Sequence, residues 1–347
     1  MKRIRLFILC LCLILCFTAC AAPTVTPSKE NDQLRLHVID VGQGDSTFLE
    51  LPGGKTMLID AGERDYGGVV KSYIRQLGYD KLDIVVASHP HSDHIGGLAE
   101  VIEAFAVGQV WMPKKASTTA TFEKLLKTVK NKGLQVNTAK AGKQILAEEG
   151  LTIDIISPTR DDYGDEMNLY SAVIRITHGT QRFLIMGDAE TENEEEMTGV
   201  AAEFIRVGHH GSKTSSSAAF VKRVGAKYAV ISVGTDNSYG LPKDEIIKRW
   251  QKAGATVYRT DESGTLRFVS DGKIITVETG IATSAPQTET SPQSAWVLNI
   301  SSKKIHRPDC SSVEKIKAAN KQTSNRAEED LLKEGYTPCG SCDPLEN

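Results

Sequence analysis

The 347-residue chain has little net charge of either sign: 41 basic side chains stand against 44 acidic ones, for a net of -3. That near balance excludes a broad, non-specific polyanion binder and leaves room only for a local basic groove. Aromatic residues are sparse, at 6%. Beyond the first twenty residues no apolar run approaches the ~20 residues of a membrane span, which excludes a polytopic membrane protein. A hydrophobic fraction of 40% excludes the opposite extreme, a chain too polar to bury a core. Thiols that could pair are also few. Of seven cysteines, four (Cys10, Cys12, Cys16 and Cys20) fall in the first twenty residues. The remaining three, Cys310, Cys339 and Cys342, cannot close into disulfides without a remainder. The length exceeds one ordinary domain, so a large domain with a smaller companion is expected.

What is present begins with an address. Lys2, Arg3 and Arg5 form a basic head, and residues 6–17 are an apolar run too short to span a membrane comfortably. The run ends in Phe17-Thr18-Ala19-Cys20, which resembles a bacterial lipobox. On that reading residues 1–19 are a signal peptide, Cys20 carries lipid, and residues 20–32 are a tether. Cleavage after Ala19 or Ala22 to release a secreted protein is the alternative. Either way the chain is expected outside the cytoplasmic membrane. Loss of residues 1–19 removes three basic and no acidic side chains, taking the net charge to -6.

From Leu34 onward strands and helices alternate. Strands are expected at 34–41, 46–51, 56–60 and 82–87, with helices at 69–77, 95–105 and 122–132. A hairpin at 171–177 and 182–186 turns at His178-Gly179. Helices at 191–197, 218–224 and 244–252 then alternate with strands at 204–207, 228–233, 256–259, 265–269 and 274–277. Two mixed β layers with outer helices, an α/β sandwich over residues 33–279, fit this order. Residues 280–293 lack periodicity and read as a linker. Residues 294–347 are too few to rely on an apolar core alone.

Three of the eight histidines fall in Ser88-His89-Pro90-His91-Ser92-Asp93-His94, between a β-branched strand and a helix start. A loop at a strand's carboxyl end can aim alternate side chains into one cavity, and imidazole with carboxylate suits zinc, manganese or iron. His89 and His91 can reach one ion while Asp93 and His94 reach a second. These residues resemble the metallo-β-lactamase superfamily, which implies an αββα four-layer sandwich and five ligand motifs. The first motif is matched by Leu58-Ile59-Asp60-Ala61-Gly62, where the resemblance implies a supporting role for Asp60. The fourth is matched by Gly187-Asp188, the carboxylate that bridges two ions. The fifth is matched by Gly208-His209-His210-Gly211-Ser212. Either histidine could be the ligand; His209 is favoured, with His210 facing substrate.

The third motif departs from the family, for no histidine stands there. Instead the chain reads Asn168-Leu169-Tyr170-Ser171, which is similar to the extracytoplasmic domain of ComEC-type DNA-uptake proteins. The same branch is matched by Val38-Ile39-Asp40-Val41-Gly42-Gln43-Gly44-Asp45-Ser46, with Asp45 as a supporting residue. It usually carries Asn-x-Tyr-Gly-His-Pro, where this chain has Leu241. Asn168 and Ser171 are accordingly expected at the catalytic centre with Asp93 and His210.

Near the carboxyl end, His306 lies four residues before Cys310, and Cys339-Gly340-Ser341-Cys342 is a C-x-x-C knuckle. Together they make a Cys3His set for one structural zinc, whose binding can supply the folding free energy a small core lacks. The alternative is a disulfide with one thiol left over. The module resembles the zinc-binding fold of the Ada DNA-repair protein.

The resemblance implies a metal-dependent hydrolase with two divalent ions, zinc or manganese. Its expected chemistry is in-line attack on phosphorus by a hydroxide held between them, oriented by Asp93 while His209 or His210 assists the departing oxygen. DNA is the first candidate substrate. An envelope polymer of phosphorylcholine or teichoic-acid type is the second, and a non-catalytic DNA-binding role in an uptake machine is the third. β-Lactamase activity is not expected without the third-motif histidine.

Overall fold

A computed structural model describes residues 32–279 and 296–339, apart from 307–309, 311, 325–330 and 333. The signal peptide, Cys20, the linker and Cys342 lie outside the described residues. Among those residues no helix is long and apolar enough to cross a membrane.

The first half of the chain supplies strands β1 (Leu34–Val38), β2 (Thr47–Glu50), β3 (Thr56–Ile59), β4 (Lys81–Val86), β5 (Ala106–Met112) and β6 (Val136–Thr138). Next come β7 (Lys143–Glu148), β8 (Leu151–Ser157), β9 (Val173–His178), β10 (Gln181–Ile185), β11 (Phe204–Arg206), β12 (Tyr228–Ile231) and β13 (Thr256–Arg259). The series closes with β14 (Leu266–Ser270) and β15 (Ile275–Glu278). The eight-stranded sheet has the order β15-β14-β1-β2-β3-β4-β5-β6, and the seven-stranded sheet β13-β12-β11-β10-β9-β8-β7. Parallel pairing runs from β3 to β6 and from β10 to β13. β4 buries Leu82, Ile84, Val85 and Val86 around a half-buried Asp83, the largely apolar pattern of a parallel strand covered on both faces.

Leu36, Ile59, Phe183, Phe204 and Phe268 pack between the sheets. On the outer face of the first sheet lie α1 (Gly67–Gln76), α2 (Ser92–Ile95), α3 (Leu98–Ala104) and α4 (Ala120–Asn131), anchored through Ile74, Ile95, Val101 and Leu125. The second sheet is covered by α5 (Thr191–Glu196), α6 (Ala218–Val224) and α7 (Asp244–Lys252), with Phe220, Ile246 and Trp250 turned inward. Ile246 and Trp250, four residues apart, seat α7 together with the half-buried Ile247. The four layers are those of an αββα sandwich.

Several expectations shift. The expected first strand ends at Val38, because Asp40 N–H turns to Thr265 Oγ1 and Ile39 N–H to Ser46 O. The expected helix 95–105 is divided into α2 and α3 at Gly96-Gly97. A Cβ at Gly97 would come 2.4 Å from Ala61 O, so only glycine admits that close approach. Strands β5 to β8 occupy a region for which the sequence pattern predicted only a helix.

The carboxyl-terminal module is a four-stranded sheet of β16 (Trp296–Asn299), β17 (Lys304–His306), β18 (Lys321–Ser324) and β19 (Thr337–Pro338), in the order β18-β16-β17-β19. Its core is two small clusters, one of which holds Cys310 and Cys339 beside Val297 and Val313.

Candidate metal centre

The side chains singled out in the sandwich hang from the carboxyl ends of neighbouring strands, where open α/β sheets leave a crevice. Asp60 follows β3, residues 88–94 follow β4, Gly187-Asp188 follows β10, and His209-His210 follows β11. Asp60 pins two parts of this assembly. Its Oδ1 accepts the Ser88 N–H (2.7 Å) and its Oδ2 lies 2.9 Å from His94 Nδ1. The Gly42-Gln43-Gly44 turn lies against the same loop. Asp45 N–H donates to Asp93 O (3.0 Å), and a Cβ on Gly44 would meet that oxygen at 2.4 Å.

At the middle is the buried carboxylate of Asp188, and each of its oxygens faces two imidazoles. Oδ1 lies 3.2 Å from His94 Nε2 and 3.5 Å from His210 Nε2. Oδ2 lies 3.8 Å from both His89 Nε2 and His209 Nε2. Asp93 Oδ2 completes the first group, 3.2 Å from His210 Nε2 and 3.8 Å from His94 Nε2. His91 Nδ1 joins the second, 3.0 Å from His89 Nε2. Two compact sets of ligand-type residues share Asp188, one of Asp45, His94 and His210 and the other of His89 and His91; Asp45 approaches the first from the Nδ1 side of its rings (3.5 and 4.0 Å), opposite Asp93.

These sets fit divalent cations. Ligands about 2.0–2.1 Å from a tetrahedral ion stand roughly 3.3 Å from one another. Furthermore, Asp188 Oδ1, His94 Nε2 and His210 Nε2 are buried without a hydrogen-bond partner. Each such orphan costs about 1–3 kcal/mol unless something else satisfies it, and here three of them converge. The outer ring nitrogens are engaged: His210 Nδ1 donates to Ser232 O (2.9 Å), His94 Nδ1 faces Asp60, and His89 Nδ1 meets Ser88 Oγ (3.0 Å). That arrangement leaves Nε2 as the ligating atom.

Charge is concentrated here. Burial pushes the Asp188 carboxyl upward, but His94, His210 and His89 prevail and hold it well below the usual carboxylate range. Burial and the neighbouring His94 keep His89 well below its ordinary value. Beneath the centre the fully buried Arg206 pairs with Asp45 and donates to Gly187 O and Val207 O, both at 2.7 Å. Burial lowers its guanidinium to about 9, so it remains charged at neutral pH. Sequence reasoning missed Arg206; the signal available was a lone arginine inside the apolar run Phe204-Ile205-Arg206-Val207.

The two fifth-motif histidines sit differently, and the expected ligand, His209, is the more exposed of the two. His210 is 2% exposed with Nε2 inside the Asp93–His94–Asp188 group, whereas His209 stands at the rim in neither compact set. Both adopt left-handed backbone, each at φ 50°, which turns adjacent side chains in directions no helix or strand period would give. Ser171, expected in catalysis, is buried and its Oγ accepts the Asp188 N–H (3.0 Å), a support for the central carboxylate. Asn168 donates through Nδ2 to Glu190 Oε1 (3.0 Å) and likewise does not line the cleft.

The cleft itself, about 320 Å³, is lined by His91, Asp93, Asp188, His209 and His210, with Tyr239 and Leu241 at the mouth. Asn237 shapes this rim by bonding Leu241 through both its backbone N–H and C=O. His178 ends β9 and bonds Ser270 (3.1 Å), while His37 is buried against Tyr73 and Glu50; neither joins the centre. In the carboxyl-terminal module His306, Cys310 and Cys339 form a third ligand-type group, and both ring nitrogens of His306 are buried without a hydrogen-bond partner.

Residues 39–235 match the metallo-β-lactamase superfamily. ComE operon protein 3 of Bacillus subtilis (strain 168) is 28% identical over 252 residues, covering 67% of this chain and 32% of that protein. Competence protein ComA of Neisseria gonorrhoeae is 30% identical over 253 residues, 71% of this chain and 33% of that one. The chain thus spans about a third of the length of these curated relatives. Among solved structures, the metallo-β-lactamase fold protein YhfI of Bacillus subtilis aligns with a TM-score of 0.44 at 16% identity, covering 69% of this chain and 99% of that one. With more than half of its residues inside the family match, this chain belongs to the metallo-β-lactamase superfamily, and it resembles the competence proteins within it.

Proposed function

We propose that the chain is an extracytoplasmic phosphodiesterase that cleaves DNA at a centre of two divalent ions. The observation that carries the reading is the Asp188 carboxylate, which offers one oxygen to each of two histidine-rich groups. His89 and His91 would hold one ion, and Asp93, His94 and His210 the other, with Asp188 shared. Zinc or manganese bound there supplies Lewis-acid polarisation of a phosphoryl oxygen and a nucleophile at neutral pH. The chain's own residues do the rest. Asp60 and the Asp45–Arg206 pair set the ring of His94 and the floor of the site, and Ser171 fixes the backbone of Asp188. Similarity to proteins named for competence supports DNA as substrate, and the apolar segment ending at Cys20 supports a lipid-anchored location beside uptake machinery. The carboxyl-terminal group would hold a structural zinc.

Purified chain with Mn²⁺ or Zn²⁺ should degrade DNA, and Asp188→Ala should abolish the cleavage. Intact DNA with every divalent metal would sink the proposal. A second reading, hydrolysis of a smaller envelope phosphodiester, is favoured by one feature: among the residues lining the cleft there is no lysine or arginine to follow a DNA backbone. Turnover of bis-p-nitrophenyl phosphate without DNA cleavage would select it.

A further inference from the structure

We propose that a second cavity beside the metal centre is a subsite for the nucleoside that flanks the scissile phosphate, gripped through Asp40, Gln43 and Thr235. This rests on the phosphodiesterase reading above and names the unit of substrate that the protein holds outside the centre.

The cavity, about 410 Å³, is larger than the cleft over the centre and falls in the ~300–1,000 Å³ range of small-molecule sites. Gln43 belongs to the walls of both, so the two spaces meet at its side chain. The turn that carries Gln43 is closely packed on each side. Gly42 lies against the Tyr66 hydroxyl, and a Cβ on Gly234 would stand 2.5 Å from Gln43 N. Asn237, on the far wall of the second cavity, bonds Leu241 at the mouth of the cleft, so one loop frames both spaces. A strand whose phosphate lies over the centre can therefore place its next unit just past Gln43.

The lining selects the ligand. Asp40 Oδ1 accepts the Gly42 N–H (3.1 Å), which leaves Oδ2 to accept from a ligand. Gln43 Oε1 accepts the Gly234 N–H (3.3 Å), which leaves its amide to donate. Thr235 adds an exposed hydroxyl, and Tyr66 with Val69 an apolar flank. Among the described residues no lysine or arginine lines this cavity, so a phosphate would face the Asp40 carboxylate with no cation to offset it. A quaternary ammonium would leave the amide and the hydroxyl unused. One acceptor, one amide donor and one hydroxyl beside an apolar flank match a nucleoside, whose flat base carries donors and acceptors along its edge and whose sugar carries hydroxyls. Grip on the unit beside the phosphate also suits a cleft whose own lining has no lysine or arginine.

The test is saturation-transfer NMR on the full chain loaded with Zn²⁺, using 2′-deoxyadenosine, 2′-deoxycytidine, ribitol and choline, none of which carries phosphate. The two deoxynucleosides should receive magnetisation at base and sugar protons, and ribitol and choline should not. Asp40→Asn keeps the oxygen that accepts the Gly42 N–H and turns the other from acceptor to donor. It should weaken nucleoside binding about tenfold, and Gln43→Ala about fivefold. Circular dichroism confirms that each variant is folded. With Mn²⁺, the ratio of kcat/KM for an oligonucleotide to that for bis-p-nitrophenyl phosphate should also fall about tenfold in Asp40→Asn, because the smaller diester has no nucleoside to lose. No transfer to the deoxynucleosides would overturn the assignment, as would unchanged binding in both folded variants, or ribitol or choline bound in their place. Equal losses on the oligonucleotide and the small diester would overturn it too. A wild type that binds the deoxynucleosides but cleaves neither DNA nor the diester keeps the subsite and overturns the phosphodiesterase reading, which separates the two failures.

Discussion

In the sandwich, the ligand-type side chains hang from loops after β3, β4, β10 and β11, above three hydrophobic clusters that include none of them. In the carboxyl-terminal module, Cys310 and Cys339 belong to the core itself, in a small cluster with Val297 and Val313 against which Ile316 packs. One frame is built first and then presents its ligands. The other has too little apolar surface to stand without them, and a metal there becomes part of folding. On the reading proposed above, similar donor chemistry would serve function in one place and structure in the other.

The largest effect should come from a chelator. Amide hydrogen exchange in EDTA should show β16 and β17 losing nearly all protection while β10 to β12 keep theirs. Structural zinc contributes about 10–16 kcal/mol in small modules, which is more than such a domain has to lose. Protection retained in the module would break the contrast. Next comes Arg206→Ala, which leaves Asp45 buried without its cation and should cost about 3–5 kcal/mol in urea unfolding of the large domain. A change below about 1 kcal/mol would mean that the frame does not depend on this pair. Asp60→Asn frees one ring nitrogen of His94, so metal affinity should fall about 10–100-fold while the unfolding midpoint in EDTA moves little. Equal losses in both quantities would show that frame and centre are not separable. The smallest change is Ser171→Ala, which removes one hydrogen bond to the Asp188 backbone. It should cost about 1 kcal/mol in stability and less than tenfold in metal affinity.

Much of the centre was legible because its residues are crowded in sequence. His89 to His94 and Gly187-Asp188 could be read directly, since a short loop after a strand leaves their side chains few directions to take. The choice between His209 and His210 was not legible. It depends on left-handed backbone at both positions, which no hydrophobic pattern reports. Glu190 was hidden for another reason: it meets His209 and Asn168 from behind the cleft and looks like any acidic residue ahead of a helix. The fold shows the same division. β8 alternates buried and half-buried residues throughout, a pattern open to reading, yet its partner β7 is mostly exposed and carries almost no alternation. Edge strands of that kind are specified by their neighbours.

The seam between the two sheets bears on how the protein matures. His89, His91, Asp93 and His94 come from the first sheet, and Asp188, His209 and His210 from the second, so neither half of the chain owns a complete centre. The Asp45–Arg206 pair crosses the same seam. Contacts so distant along the chain form only after the loops between them have closed. On the two-ion reading proposed above, metal uptake would follow the docking of both halves, and an ion bound between the sheets would act as a rivet against their sliding apart.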